Sequence, residues 1–229
     1  MNTKSLLEQL LQSGQQLAQR GFKTVEQQAN VPAQGPERDA MLSGLGKGAL
    51  AGGVVALLLG SKGGRSLTGG LLKYGSLAAL GGLAYTTYKN WQNSQGDAAA
   101  PPPGQPVGEL QGPVADRRSL ALLKAIIAAA KADGHIDAEE QQKIEAQIAR
   151  FGLDNDTLTM LQKELEKPLN PADIAAGADS PEAAAEIYLA SLLVINVDNF
   201  MERAYLDELA RLLGLAPDLV AQLEAEAGH

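Results

Sequence analysis

The chain has 229 residues, of which 4% are aromatic and 25 are glycine, so alanine and leucine carry most of its apolar content. This composition favours helices over a β-sandwich. Cysteine is absent, which excludes disulfide bonds, thiolate metal sites and cysteine nucleophiles.

The net charge of −8 is divided unevenly along the chain. Residues 1–115 hold 6 acidic and 9 basic residues, a net charge of +3, whereas residues 116–229 hold 21 and 10, a net charge of −11. The acidic part is poorly suited to the phosphates of nucleic acid, and the basic, apolar part is suited to a membrane. We therefore expect a lipid bilayer, and no nucleic acid, among the partners.

Residues 1–30 have an apolar stripe at helical spacing and lack the unbroken apolar core of a cleavable signal peptide. The stripe consists of Leu6, Leu7, Leu10, Leu11, Leu17, Ala18, Phe22 and Val25. It predicts an amphipathic helix that packs on another helix or on a second subunit, with adsorption to a membrane surface as the alternative. Residues 31–41 are assigned to a linker.

Residues 42–91 are rich in glycine and contain two apolar runs, at 48–60 and 74–88, around a basic connector. Each run is shorter than the roughly 20 residues that cross a bilayer, but extension to Leu42 or Leu71 approaches that length. No carboxylate occurs within residues 41–90. We predict one or two membrane helices here; the alternative is a pair of soluble helices buried against each other or against a partner.

Small residues and aromatic residues support the membrane interpretation. Small residues at four-residue spacing let helix backbones approach closely in lipid; they are Gly44, Gly48, Gly52, Gly75, Ala78, Ala79 and Gly82. Tyr85, Tyr88 and Trp91 follow the second run and are predicted to be anchors at the membrane interface.

Residues 92–115, rich in Pro, Gly and Ala, predict a disordered tether. From Asp116 onward the pattern predicts a compact all-α domain of about seven helices, in which the first, "DRRSLALLKAIIAAAKAD", is central and buried. Asn170-Pro171 and Ser180-Pro181 mark two of the helix starts. The predicted fold class is thus all-α, with Gly-rich membrane helices tethered to an acidic domain.

The acidic turn "KADGHIDAEE" within this domain has two interpretations. Asp137 and Glu140 have the spacing of a capping box, which needs no ligand. The alternative is a divalent-cation site, since Ca²⁺ and Mg²⁺ require several oxygen ligands. Its candidate ligands are Asp133, Asp137 and Glu140, joined by Asp198 and Glu202 from a weak internal repeat of the turn. The sequence requires no other cofactor.

The turn after an alanine-rich helix, its repeat at residues 198–202 and the rhythm of the helices resemble the TerB-like domain of tellurite-resistance proteins. The order of the whole chain resembles the YebE-type bacterial inner-membrane proteins, a family without an assigned biochemical function. The resemblance implies an inner-membrane location and an all-helical soluble domain. It does not imply an enzymatic activity.

The motifs of serine hydrolases, P-loops and dinucleotide-binding folds are absent from the sequence. We therefore expect a membrane-anchored, non-enzymatic interaction module that binds an unidentified protein, in an envelope or stress response, with the C-terminal domain in the cytoplasm. One alternative is a divalent-cation sensor that uses the acidic turn. The other is a soluble scaffold that forms a homo-oligomer through its Gly-rich helices.

Overall fold

A computed structural model of the chain describes residues 3–9, 11–12, 76–95, 104–132, 155–195 and 200–227. All regular secondary structure in these residues is helical, which confirms the predicted all-α class. Residues 3–9 and 11–12 are helical and are called α1 here. The helices that follow are α2 (Leu77–Ser94), α3 (Gly112–Ala130), α4 (Asn155–Glu166), α5 (Pro171–Ala175), α6 (Pro181–Leu192), α7 (Phe200–Leu212) and α8 (Pro217–Ala227).

Side-chain caps fix the starts of α5 and α6. Asn170 Oδ1 accepts a hydrogen bond from the backbone N–H of Ala172 at 3.1 Å, and Ser180 Oγ accepts one from that of Ala183 at 3.2 Å. A proline occupies the first turn of each helix, where its missing N–H costs nothing. Both starts are the ones that the sequence indicates.

Helix α6 is the central element of the bundle. Every residue from Glu182 to Leu192 is buried, and the helix packs against α2, α3, α5, α7 and α8. The sequence pattern had placed α3 at the centre, but α3 keeps an exposed side chain at Arg117. Helix α6 takes the central position because small and apolar residues cover most of its circumference and its two glutamates have buried hydrogen-bond partners.

Helix α1 also contributes to this core. Leu6, Leu7 and Leu11 are 5%, 0% and 3% exposed and belong to the same hydrophobic cluster as the buried residues of α6. The described part of the N-terminal stripe therefore packs on other helices of the same chain.

Helix α2 contains most of the second apolar run and packs against α6 and α8. Leu77, Leu80 and Ala84 are at most 2% exposed, so the apolar face that suggested a membrane helix is buried against protein. The predicted membrane segment at 42–91 is therefore corrected for residues 77–91, which belong to the bundle. Residues 42–75 lie outside the described residues. None of the described helices combines the length and the apolarity that a bilayer crossing needs.

The predicted tether at 92–115 is also corrected where the structure describes it. Helix α2 extends to Ser94 and α3 begins at Gly112. Residues 104–110, which we call the strap, lie against α2 and α6, and the side chain of Val107 is fully buried. Residues 96–103 lie outside the described residues. The domain thus begins well before Asp116, because α1, α2 and the strap complete its core.

Candidate functional site: a buried charge cluster beside an apolar groove

Most of the predicted cation ligands, namely Asp133, Asp137, Glu140 and Asp198, lie outside the described residues. The fifth, Glu202, is in the first turn of α7. Among the residues that the structure describes, no group of three or more His, Cys, Asp or Glu side chains is placed to hold a metal ion. The cation site at the acidic turn stays a prediction.

Some of the small residues predicted to pack in lipid are among the described residues, and others are not. Gly44, Gly48, Gly52 and Gly75 are outside the described residues, whereas Ala78, Ala79 and Gly82 lie on α2. A Cβ atom added at Gly82 would meet no atom within 4 Å. One added at the neighbouring Gly81 would lie 2.7 Å from Val107 Cγ1 and 2.9 Å from Glu186 Oε1. The glycine that permits close approach is therefore Gly81, and it faces the strap and α6.

Ala78 also meets the strap. A Cβ atom added at Gly108 would lie 2.8 Å from Ala78 Cα, so both surfaces need small residues where α2 and the strap touch. The small residues at this point serve packing between parts of one domain.

The three predicted interfacial anchors occupy different environments on α2. Tyr88 is 8% exposed and its ring centroid lies 5.8 Å from that of Trp91, which is half-buried. Tyr85 is also half-buried, and the Lys89 ammonium lies 5.9 Å from its ring centroid. Tyr88 and Trp91 thus pack into the domain.

Four ionisable side chains meet where α3, α6 and the strap come together: Arg118, Asp179, Glu182 and Glu186. We call them the charge cluster. Arg118 Nη1 donates to Glu186 Oε2 at 2.8 Å, and Arg118 Nη2 donates to Asp179 Oδ1 and to Ser180 Oγ. Arg118, Glu182 and Glu186 are at most 5% exposed. One guanidinium therefore pairs with two of the three carboxylates, those of Asp179 and Glu186.

The two glutamates of the charge cluster hold the strap. Glu186 Oε1 accepts the backbone N–H of Val107 at 2.7 Å, and Glu182 Oε1 accepts that of Gly104 at 2.8 Å. The second carboxylate oxygen of Glu182 is buried and has no hydrogen-bond partner within the described part of the chain. The buried carboxylates thus replace the backbone partners that this irregular segment lacks.

Burial raises the pKa of the Glu186 carboxyl, while the Val107 N–H and the Arg118 guanidinium act in the opposite direction. The neighbouring Asp179 carboxylate acts in the same direction as burial.

An apolar groove of about 540 Å³ lies beside the charge cluster, between the C-terminal half of α2, the start of α6 and the turn from α7 to α8. Its apolar wall includes Tyr88, Trp91, Ala184, Leu213, Leu215 and Leu219. Asp179 and Ser180 add polar groups, and the Asp179 side chain is 45% exposed. None of the described residues that line the groove is basic.

The Trp91 indole at this groove also faces Asp218 in the first turn of α8. Its N–H lowers the pKa of the Asp218 carboxyl, although the indole nitrogen makes no hydrogen bond of good geometry among the described residues. The indole N–H and the Asp218 carboxylate thus lie near each other where α2 meets α8.

The sequence interpretation had not singled out Arg118, Glu182 or Glu186 as members of a site. One signal was present: two glutamates four residues apart interrupt the apolar sequence "AAAEIYLASLL" and share one face of a helix. That spacing does not indicate what the carboxylates contact. Their partners come from elements 68 and 79 residues away along the chain.

Comparison with known proteins gives a family but no activity. A relative, described as an uncharacterized protein in the ampR 5′ region of Yersinia enterocolitica, is 34% identical over 119 residues, which cover 52% of this chain and 85% of that protein. No solved structure matches the chain. Residues 44–227 match the family model described as "Protein of unknown function (DUF533)". Because that match covers most of the sequence, the chain belongs to the DUF533 family.

Proposed function

We propose that the protein is a membrane-associated, non-enzymatic interaction module whose helical domain binds a basic, apolar peptide segment of a partner protein in the groove. The observation that carries this proposal is the combination of an apolar wall with the half-exposed carboxylate of Asp179. The volume of about 540 Å³ is in the range of ligand sites and accommodates a few side chains.

The electrostatics of the domain select a cationic partner. Arg118 pairs with Asp179 and Glu186, the buried Glu182 has no cationic partner among the described residues, and residues 116–229 have a net charge of −11. A lysine or arginine of the partner beside Asp179 is attracted by this field, whereas an acidic segment is repelled. The apolar wall supplies affinity, and the carboxylate supplies selectivity.

Membrane association is proposed from the sequence of residues 42–60, which approach the length of one bilayer crossing and contain no acid. The resemblance to YebE-type proteins favours the bacterial inner membrane, and the TerB-like resemblance favours an envelope or stress response. We place the domain in the cytoplasm, where exposed Lys89 and Arg117 suit the positive-inside rule. Arg118 no longer supports that placement, because it is buried in the charge cluster.

Trp91 gives a direct test of peptide binding, because it is the only tryptophan of the chain and it lines the groove. The probe is a short synthetic peptide of leucine and lysine, compared with a matched leucine–glutamate peptide and a lysine–serine peptide. We expect a saturable change in tryptophan emission with the leucine–lysine peptide alone. No saturable change with any of the three would overturn the groove as a binding site.

Two matched variants separate the groove from general charge attraction. Asp179→Asn removes the carboxylate that lines the groove, whereas Asp173→Asn removes an exposed carboxylate elsewhere on the domain. We expect weaker peptide binding in the first variant and unchanged binding in the second. Equal weakening in both would mean that the peptide only follows the net charge. Thermal melts of both variants check that each remains folded.

Extraction with alkaline carbonate tests the membrane association. The full-length protein should stay in the membrane pellet. Its release into the supernatant would favour the alternative of a soluble self-associating scaffold, which an oligomeric state above monomer would support.

A further inference from the structure

We infer that α1, α2 and α8 all lie on one side of the membrane with which the protein associates. The inference deepens the proposed membrane association and rests on it. Its structural basis is that α1 and α2, the helices before and after residues 13–75, pack into one domain. This basis is independent of any membrane.

The first flank, α1, is held to the domain by polar and apolar contacts. The backbone N–H of Lys4 donates to Asp116 Oδ1 on α3 at 3.3 Å. The Lys4 ammonium donates to the carbonyl oxygens of Gly108 and Leu110 at 3.2 and 2.8 Å. Leu6, Leu7 and Leu11 are buried in the common core.

The second flank, α2, packs against the strap and α6. Leu77, Leu80 and Ala84 are buried, and Gly81 brings the helix backbone close to Val107 and Glu186. Near its C-terminal end, Gln95 Nε2 donates to Asp218 Oδ2 of α8 at 2.5 Å. Helix α2 is thus tied to the last described helix of the chain.

The bilayer cannot separate elements that touch. Its hydrocarbon core is about 30 Å thick, whereas the Lys4 ammonium lies 3.2 Å from the Gly108 carbonyl oxygen. An odd number of crossings between residues 12 and 76 would place α1 and α2 on opposite sides and break the packing of one of them. Helices α1 and α2, which pack into one domain, therefore lie on the same side of the membrane.

The absence of cysteine makes a labelling test direct, because each introduced cysteine is unique. The positions Gln12, Asn93 and Gln222 are exposed on α1, α2 and α8. Full-length Gln12→Cys, Asn93→Cys and Gln222→Cys are placed in sealed membrane vesicles of known orientation and treated with an impermeant maleimide, with and without detergent. We expect all three to react from the same side. Reaction of Gln12→Cys from the side opposite to the other two would overturn the inference.

A crosslink tests the one-domain arrangement by itself. Full-length Lys4→Cys combined with Asp116→Cys should form an intramolecular crosslink with a short bis-maleimide, and neither single variant should. Failure to crosslink in protein retained by the membrane would overturn the inference. Release by carbonate together with a formed crosslink would instead overturn the proposed membrane association and support only the one-domain arrangement.

Discussion

The guanidinium of Arg118 on α3 lies 2.8 Å from the carboxylate of Glu186 on α6, and both side chains are buried. Glu186 in turn accepts the backbone N–H of Val107. One carboxylate therefore joins two helices and the strap. Removal of either side chain leaves a buried group without its partner, which links the stability of the domain to this pair.

Arg118→Met should lower the free energy of unfolding by about 3–5 kcal/mol, because Glu186 is left as an uncompensated buried charge. The double variant Arg118→Met with Glu186→Leu should lose less than the sum of the two single variants, since neither charge of this pair is left buried without the other. Urea denaturation followed by circular dichroism measures all three. Strict additivity would show that the two residues are not coupled.

The stability of the domain should depend on pH through Glu186. Burial raises the pKa of this carboxyl, so the folded chain binds its proton more tightly than the unfolded chain. The resulting stabilisation is present below the ordinary pKa of glutamate and is lost as pH rises through the raised value. Arg118, which lowers this pKa, and Asp179, which raises it, are the charged groups that act on Glu186.

Glu186→Gln cannot titrate, so its free energy of unfolding should fall less steeply with rising pH than that of the wild type. The difference in slope is at most about 1.4 kcal/mol per pH unit for one group. Urea melts at several pH values above the ordinary pKa of glutamate give both curves. Parallel curves would mean that Glu186 does not titrate in this range.

Gly81→Ala and its neighbour Gly82→Ala should change stability in opposite directions. At Gly81 a Cβ atom meets Val107 and Glu186 at less than 3.0 Å, and such overpacking costs about 1–3 kcal/mol. At Gly82 no atom lies within 4 Å, so alanine should stabilise the helix by about 0.5–1 kcal/mol. The melting temperatures of the two variants test this prediction. Equal changes in both would contradict the close contact of α2 with the strap.

A shortened chain that begins at residue 113 should unfold without cooperativity and bind a dye for exposed apolar surface. It keeps α3 to α8 but lacks α1, α2 and the strap, which contribute buried residues to the common core. A matched chain in which a Gly/Ser linker replaces residues 42–70 keeps all three and should unfold cooperatively. If the chain from residue 113 proves as cooperative as the matched chain, the N-terminal parts are not integral to the domain.

For the acidic turn, we expect Asp137→Ala to lower the free energy of unfolding by about 1 kcal/mol, equally with and without divalent cations, because a helix cap binds only backbone N–H groups. Thermal melts with chelator and then with Ca²⁺, Mg²⁺ or Zn²⁺ measure this. A cation-induced gain in the wild type that is lost in Asp133→Asn with Glu140→Gln would establish the cation site instead.

The sequence alone could predict the parts of the fold that depend on local chemistry. Low aromatic content and helical periodicity indicate an all-α protein, and the Asn-Pro and Ser-Pro pairs mark the starts of α5 and α6 where the caps are observed. The stripe with Leu6, Leu7 and Leu11 indicates a helix with one apolar face. These features are local because a cap or a stripe is defined within a few turns of one helix.

The tertiary structure alone decided which surface each apolar face covers. The apolar residues of α2 suit a bilayer and a protein core equally well, and only their contacts with α6 and α8 show that they are buried in the domain. The strap has no periodicity, so its ordered position depends on hydrogen bonds to Glu182 and Glu186 from far along the chain. A sequence pattern shows how polar a segment is. The packing of the whole chain determines which apolar surface or hydrogen-bond partner that segment contacts.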